Sequence, residues 1–254
     1  MDLQLKGRKV FVTGSTRGIG LAIAERFVAE GASVAICARN AAQVTETARA
    51  LEAKGATVFA RSFDVAGPKA LAAWIADGAQ ALGGFDVFVA NASALAANTT
   101  PAEFKKGFDI DVMHMVTGAT AALPLLEKSD AAAIIAIASI SGVEDYGYSE
   151  AAYGAMKAAL LFYMKSLSRK IGMKGIRVNA VSPGPIYFPG GFWEEVERNS
   201  PDVFQAVVQE NASRRMGKPE EIANVVAFLA SPQASYVNGA NVVVDGGHTR
   251  RIQN

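Results

Sequence analysis

Apolar positions along the chain fall into two alternating patterns. Seven short runs rich in Val, Ile, Ala and Phe read as strands: Lys9–Thr13, Ser33–Ala38, Thr57–Phe63, Val87–Ala90, Ala133–Ala138, Arg177–Val181 and Asn241–Val244. They are continuously apolar, as strands are when a parallel sheet is covered on both faces. Between them lie longer stretches with helical spacing, including Ile19–Glu30, Ala42–Lys54, Pro68–Leu82, Ala151–Ile171 and Glu220–Leu229. Strand and helix in repeated alternation predict a doubly wound α/β fold: seven parallel strands with helices on both faces. No repeat or linker divides the chain, so one domain over residues 1–254 is expected.

One segment breaks the rhythm. The connection from Pro183 to Met216 is long and carries Pro183, Pro185, Pro189, Gly190 and Gly191. Long connections in compact domains commonly serve as lids or binding loops, and a substrate lid at about residues 185–216 is the expectation.

Composition narrows the partners. The chain has 254 residues, 50% hydrophobic and 19% charged, with a formal net charge of +1. That balance supports a sizeable core and gives no support to a nucleic-acid or anionic-membrane partner. The single cysteine, Cys37, excludes an internal disulfide, suits a reducing compartment and sits in an apolar run where burial is expected. No Cys/His cluster points to a metal. The N-terminal residues lack the signal-peptide pattern, and the most apolar run, 131–138, is too short for a bilayer. A cytoplasmic protein with no membrane partner is expected.

Candidate chemistry gathers where strands end. Thr13-Gly-Ser-Thr-Arg-Gly-Ile-Gly20 follows the first strand and opens the first helix. Gly14, Gly18 and Gly20 suit a tight turn whose backbone approaches a pyrophosphate, with Ser15, Thr16, Arg17 and Ile19 completing the cradle. After the second strand an NAD enzyme would carry an acidic residue for the ribose hydroxyl. This chain has Arg39-Asn40, and with Arg17 it presents guanidinium groups suited to a 2′-phosphate, hence NADP(H). Asp64-Val65 ends the third strand and Asn91-Ala92 the fourth, placed to meet adenine and to pack under a cofactor.

Tyr153 and Lys157 stand four apart on a helix and share a face. An ammonium about 4 Å from a phenol favours its ionised form by roughly 4 kcal/mol at an effective dielectric near ~20. Such a pair suits acid/base work near pH 7.

In their joint order these motifs resemble the short-chain dehydrogenase/reductase family over nearly the whole chain. The matching segments are Thr13–Gly20, Asp64-Val65, Asn91-Ala92, Ser139, Tyr153-x-x-x-Lys157, Asn179–Gly184 and Val244–Gly247. The subgroup most similar has about 250 residues and includes 3-oxoacyl-carrier-protein reductases. The resemblance implies a Rossmann-type fold and hydride transfer between a nicotinamide cofactor and a carbonyl or alcohol carbon. It implies Tyr153 as acid/base, Ser139 as a hydrogen-bond donor to the same oxygen, and Lys157 as the residue that eases loss of the Tyr153 proton and binds the nicotinamide ribose. Ser141 is near, but the family register selects Ser139. Pro183, Gly184 and Ile186 fall in the cofactor-binding segment, and relatives commonly form tetramers or dimers.

Two departures stand out. Where many family members have an Asn that holds a relay water, the alignment puts Asp111, with Asp109 as the competing register. A carboxylate there orients the same water, titrates itself, or marks a changed mechanism. Phe188 replaces the Thr that contacts the nicotinamide amide in relatives. A smaller change puts Ser93 where a Gly is usual.

Tyr146, Tyr148, Tyr187, Phe188, Phe192 and Trp193 flank the expected site, either as an apolar pocket or as packing for the lid. Lys170, Lys174, Arg214 and Arg215 are the candidates for a basic patch toward an acyl carrier protein. His114 and His248 are expected to be structural or exposed, and Glu194, Glu195 and Glu197 to form a solvated helix face. The expected activity is NADP(H)-dependent oxidation or reduction of a small-molecule substrate, a 3-oxoacyl thioester or a small to medium apolar ketone or alcohol. The alternative is a non-catalytic NADP-binding regulator or scaffold on the same fold.

Overall fold

The computed structural model describes residues 1–96, 98–147 and 151–252. Seven parallel strands form one sheet in the order β3-β2-β1-β4-β5-β6-β7. They are β1 (Lys9–Thr13), β2 (Ser33–Ala38), β3 (Val58–Ser62), β4 (Val87–Ala90), β5 (Ala133–Ile137), β6 (Arg177–Pro183) and β7 (Asn241–Val244). The order reverses between β1 and β4, which pair through Val10–Val87 to Val12–Val89. All strands being parallel, their carboxyl ends share one edge, and the reversal opens a crevice there.

The continuous apolar runs serve two cores at once. Alternate residues point to opposite faces. Val10 and Val12 join one core with Ala22, Ile23 and Phe27 of α1 (Gly18–Ala29) and Ile222, Val226 and Leu229 of α9 (Pro219–Ala230). Phe11, between them in sequence, joins the other core with Leu71, Trp74 and Ile75 of α3 (Pro68–Leu82). That second core also holds Met115 and Ala119 of α5 (His114–Leu126) and Leu160 and Met164 of α6 (Ala151–Ile171). Phe11 stacks on Phe85 at 4.0 Å between centroids and meets Trp74 edge-on at 5.2 Å. Each such buried side chain contributes roughly 1.5–3 kcal/mol. Cys37 is buried as expected, and burial pushes its thiol up to about 12.

Several boundaries differ from the sequence reading. β3 is shorter than Thr57–Phe63, and β6 runs on through Ser182 and Pro183, where it still pairs with β7. The helix after β4 is interrupted: α4 (Pro101–Gly107) passes through a π-helical turn, Phe108–Met113, before α5. The segment expected as a lid carries two helices, α7 (Phe192–Asn199) and α8 (Pro201–Glu210). α2 (Ala41–Glu52) completes the helices. Among the described residues, no helix is long and apolar enough to cross a membrane.

Candidate active site

The carboxyl edge of the sheet brings the sequence candidates to the crevice from separate strands. Gly14 follows β1, Arg39 follows β2, Asp64 lies beyond β3, Asn91 follows β4, Ser139 lies just past β5, and Gly184 follows β6.

The glycine turn is shaped by Asn91 and by missing side chains. The Asn91 amide donates to Thr13 O at 2.8 Å and Gly14 O at 3.0 Å. A β-carbon on Gly20 would stand 2.2 Å from Gly14 O and 2.5 Å from Asn91 Nδ2, so only glycine lets α1 start so close to β1. Gly18 has φ +52°, in the left-handed region that disfavours side chains. No side chain caps the N-terminus of α1, leaving its first N–H groups for a ligand.

The other cofactor candidates sort by exposure. Ser15 is fully buried: its hydroxyl donates to Val12 O at 3.0 Å and accepts Cys37 N–H at 3.1 Å. The expectation that Ser15 contacts a cofactor is corrected for its side chain, which ties β1 to β2. Thr16 and Ile19 are half-buried beside the turn. Arg17 is exposed but already engaged, donating to Gly190 O at 3.0 Å. Arg39 is exposed and makes no ion pair among the described residues. Asn40 caps α2 by accepting Gln43 N–H at 3.1 Å. Asp64 accepts Ala66 N–H at 3.0 Å in a local turn, with Val65 buried behind it. Ala92 packs on the core, and Pro183 and Ile186 are buried. A β-carbon on Gly184 would stand 2.7 Å from Asp245 Cα.

The chemical end is built on α6. Tyr153 is half-buried, and Lys157 Nζ stands 5.5 Å from its ring centroid. Lys157 donates to Ile137 O at 3.0 Å and forms an ion pair with Asp111 Oδ1 at 3.0 Å. The contact with Oδ1 is an ion pair, and the ammonium's hydrogen bond among the described residues is the one to Ile137 O. Burial pushes the Lys157 ammonium down, but the Asp111 carboxylate, with Tyr153 beside it, more than offsets this and holds it above its ordinary value. The cation expected to face Tyr153 alone is therefore shared with a carboxylate.

Ser139 reaches the same place through close backbone contact. A β-carbon on Gly154 would stand 2.8 Å from Ser141 O, so the turn after β5 lies directly on α6. Ser139 Oγ accepts Ser141 N–H at 3.1 Å, which leaves its own O–H free to donate outward.

The π-helical turn decides between the two aspartates. Asp111 points inward and its Oδ2 accepts Ala94 N–H at 3.0 Å. Asp109 faces solvent and pairs with Lys105 at 2.6 Å.

His114, three residues after Asp111, is buried, which corrects the expectation of an exposed ring and leaves the structural one. Its Nε2 lies 3.0 Å from Thr13 Oγ1. Thr13 Oγ1 in turn accepts Asn91 N–H at 3.0 Å and Ala92 N–H at 3.2 Å. With both lone pairs taken, the Thr13 O–H donates to Nε2 in preference to the more distant Val89 O at 3.4 Å, which assigns a neutral ring. Burial lowers its pKa to about 4, with the Asp111 and Lys157 charges opposing each other. His114 and Thr13 were missed as parts of the site; the i, i+3 spacing from Asp111 was the available signal.

His248 is buried too, its ring 5.1 Å from that of Tyr146, and burial lowers its pKa. Tyr148 lies outside the described residues.

The lid aromatics divide. Tyr187 and Trp193 pack with Phe204, Val207 and Met216 in a small core of the lid itself. Phe188 instead reaches the glycine turn, where a β-carbon on Gly18 would stand 2.5 Å from its ring. Phe192 is exposed. Glu194 accepts Gly190 N–H and Glu197 accepts the Tyr187 O–H, both at 2.7 Å, so these two acids brace the lid and are not merely solvated. Lys174 is spent on Glu127 and Arg215 on Glu221.

A parallel sheet with a glycine turn at its reversal point defines a Rossmann-type α/β protein. Its sequence matches, over residues 14–249, the profile of the family described as enoyl-(acyl carrier protein) reductase. It is 43% identical over 249 residues to isoepoxydon dehydrogenase of Penicillium expansum, covering 96% of this chain and 95% of that one. With dehydrogenase/reductase SDR family member 4 of Oryctolagus cuniculus the identity is 33%, over 98% of this chain and 96% of the other. L-Sorbose reductase from Gluconobacter frateurii, solved with NADPH and L-sorbose, superposes with a TM-score of 0.92 at 33% identity, covering 99% of this chain and 100% of that one. The chain belongs to the short-chain dehydrogenase/reductase family.

Proposed function

We propose that this protein is an NADP(H)-dependent oxidoreductase that interconverts a ketone and a secondary alcohol. The observation that carries the reading is one cluster: Tyr153 above Lys157, Ser139 with a free O–H on the adjoining turn, and the glycine turn on the same sheet edge. The fit to a dinucleotide rests on the glycine turn and the uncapped N-terminus of α1, which suit a pyrophosphate once the Phe188 ring lying on Gly18 is displaced. Gly14, Ser15 by its backbone, Thr16, Arg17, Gly18, Ile19, Gly20, Asp64, Val65, Asn91, Ala92, Pro183, Gly184 and Ile186 would line it. Arg39, with Arg17 beside the turn, would meet a 2′-phosphate, and structural relatives crystallised with NADPH or NADP support that choice.

A dinucleotide held there would supply or accept the hydride. Tyr153 gives a proton to the carbonyl oxygen in reduction and removes the alcohol proton in oxidation. Ser139 donates a hydrogen bond to that oxygen. Lys157, held from behind by Ile137 O and Asp111, keeps N–H capacity for Tyr153 and the ribose hydroxyls. A small ketone or alcohol suits the reading better than a carrier-bound thioester, since Lys174 and Arg215 are already paired. Residues 185–216 act as the substrate lid of a single catalytic domain, and self-association as a dimer or tetramer in the cytoplasm completes the proposal.

The deciding experiment is Tyr153→Phe, assayed by NADPH absorbance on a carbonyl and alcohol panel. Turnover is expected to vanish while NADPH binding survives; near-wild-type turnover overturns the acid role.

A further inference from the structure

Asp111 and Lys157 are almost fully withdrawn from water, with side chains 1% and 2% exposed, and their charged atoms stand 3.0 Å apart. The carboxylate also holds Ala94 N–H at 3.0 Å, on the segment leaving β4. The ammonium also holds Ile137 O at 3.0 Å, at the end of β5. The ammonium thus has two inward partners, a carbonyl and a carboxylate, and keeps N–H capacity for the Tyr153 side. The titratable groups facing the pair are Tyr153 on α6 and neutral His114 at the start of α5. Of the other elements packed against α6, β5 and the turn Ile140–Gly142 bring no charge. β6 brings Arg177, engaged on the Leu229 carbonyl. α4 brings Glu103, Lys105 and Lys106, with Lys106 paired to Glu103 and Lys105 to Asp109. The turn Gly172–Lys174 brings Lys174, paired to Glu127.

A buried ammonium is costly without a partner. Here the partner is a full carboxylate in direct contact, where the family resemblance implies an Asn acting through water. We propose that Asp111 is a positioning residue that clamps Lys157 directly, so that Tyr153 works beside a neutral ion pair and not beside a lone cation. The proposal rests on Tyr153 being the proton carrier. Its consequence is a site biased toward giving up a proton, that is, toward carbonyl reduction, because the phenolate needed for alcohol oxidation finds no net positive charge beside it.

The test needs neither substrate nor cofactor. The near-ultraviolet tyrosinate band is titrated in matched proteins with and without Tyr153→Phe, so that the difference reports Tyr153 alone. In Asp111→Asn the Tyr153 midpoint is expected to fall by about one to two pH units, because a lone cation then faces the phenol. Asp111→Glu, which keeps the charge, is expected to stay within about half a unit of wild type. An unmoved midpoint in Asp111→Asn overturns the proposal. The double replacement Asp111→Asn with Lys157→Met buries no unpaired charge and keeps the test open if the single variant does not fold. It is expected within about half a unit of wild type; a rise of about two units would mean that Lys157 acts as a lone cation after all and overturns the clamp. A failed Tyr153→Phe assay would sink the catalytic reading on separate grounds, since this titration does not involve turnover.

Discussion

The ring of Phe188 fills the space that a β-carbon on Gly18 would occupy, 2.5 Å from that point. Arg17 fastens the same stretch by donating to Gly190 O. The foot of the lid therefore lies on the turn that would hold a pyrophosphate. A ligand entering that turn must displace the ring, and apparent affinity falls by the fraction of molecules in which it is displaced. Phe188→Ala is expected to speed NADPH association severalfold in stopped-flow fluorescence. An unchanged or slower association rate would contradict a ring that has to leave.

Cofactor choice turns on Arg39, which is exposed and unpaired among the described residues. A hydrogen bond to a charged group contributes about 1.5–3 kcal/mol, so Arg39→Asp should weaken NADPH roughly 10- to 100-fold. NADH should be nearly unaffected. Equal losses for both, measured by fluorescence titration, would remove the 2′-phosphate from this position.

His114 links stability to pH. In the folded chain its pKa is lowered to about 4 by burial, from an ordinary value of 6.5. Between these values the unfolded chain binds the extra proton and the folded chain does not, so stability rises with pH across that window. The cost of acidification is about 3 kcal/mol, developed as pH falls from ~6.5 to ~4. His114→Gln, which offers Thr13 an amide in place of the ring, should flatten this part of the profile in denaturant melts. An equally steep profile in the variant would mean that other groups carry it.

Arg177 closes the C-terminal end of α9. Its guanidinium donates to the carbonyls of Leu229, Ala230, Ser231 and Ala234. Arg177→Met leaves several of these without a partner, at roughly 1–3 kcal/mol each where buried. A loss of about 3 kcal/mol and a Tm lower by about 6–12 °C are expected by thermal melt. A Tm within about 2 °C of wild type would show that water replaces the guanidinium.

The sheet was readable from the sequence because its strands serve two cores. That requirement writes continuous apolar runs into the chain, and β1, β2, β4 and β7 have the expected bounds. The site was readable where the chemistry depends on residue type and spacing, as in the glycine turn and the Tyr153–Lys157 pair. It was not readable where packing decides. The π-helical turn at 108–113 follows Gly107, where a β-carbon would stand 2.9 Å from the Met156 side chain, a contact no local pattern encodes. His114 looks the same in sequence whether buried or exposed, and only Thr13, about a hundred residues away, fixes which.

Two buried pairs, Thr13 with His114 and Asp111 with Lys157, carry a consequence for sequence change. Thr13 Oγ1 already serves His114 and two amides, and Asp111 serves both Lys157 and Ala94. Replacing any one member strands a partner away from water. Drift at these positions is therefore blocked one residue at a time, and each pair would pass between descendants as a unit, inherited whole or exchanged whole.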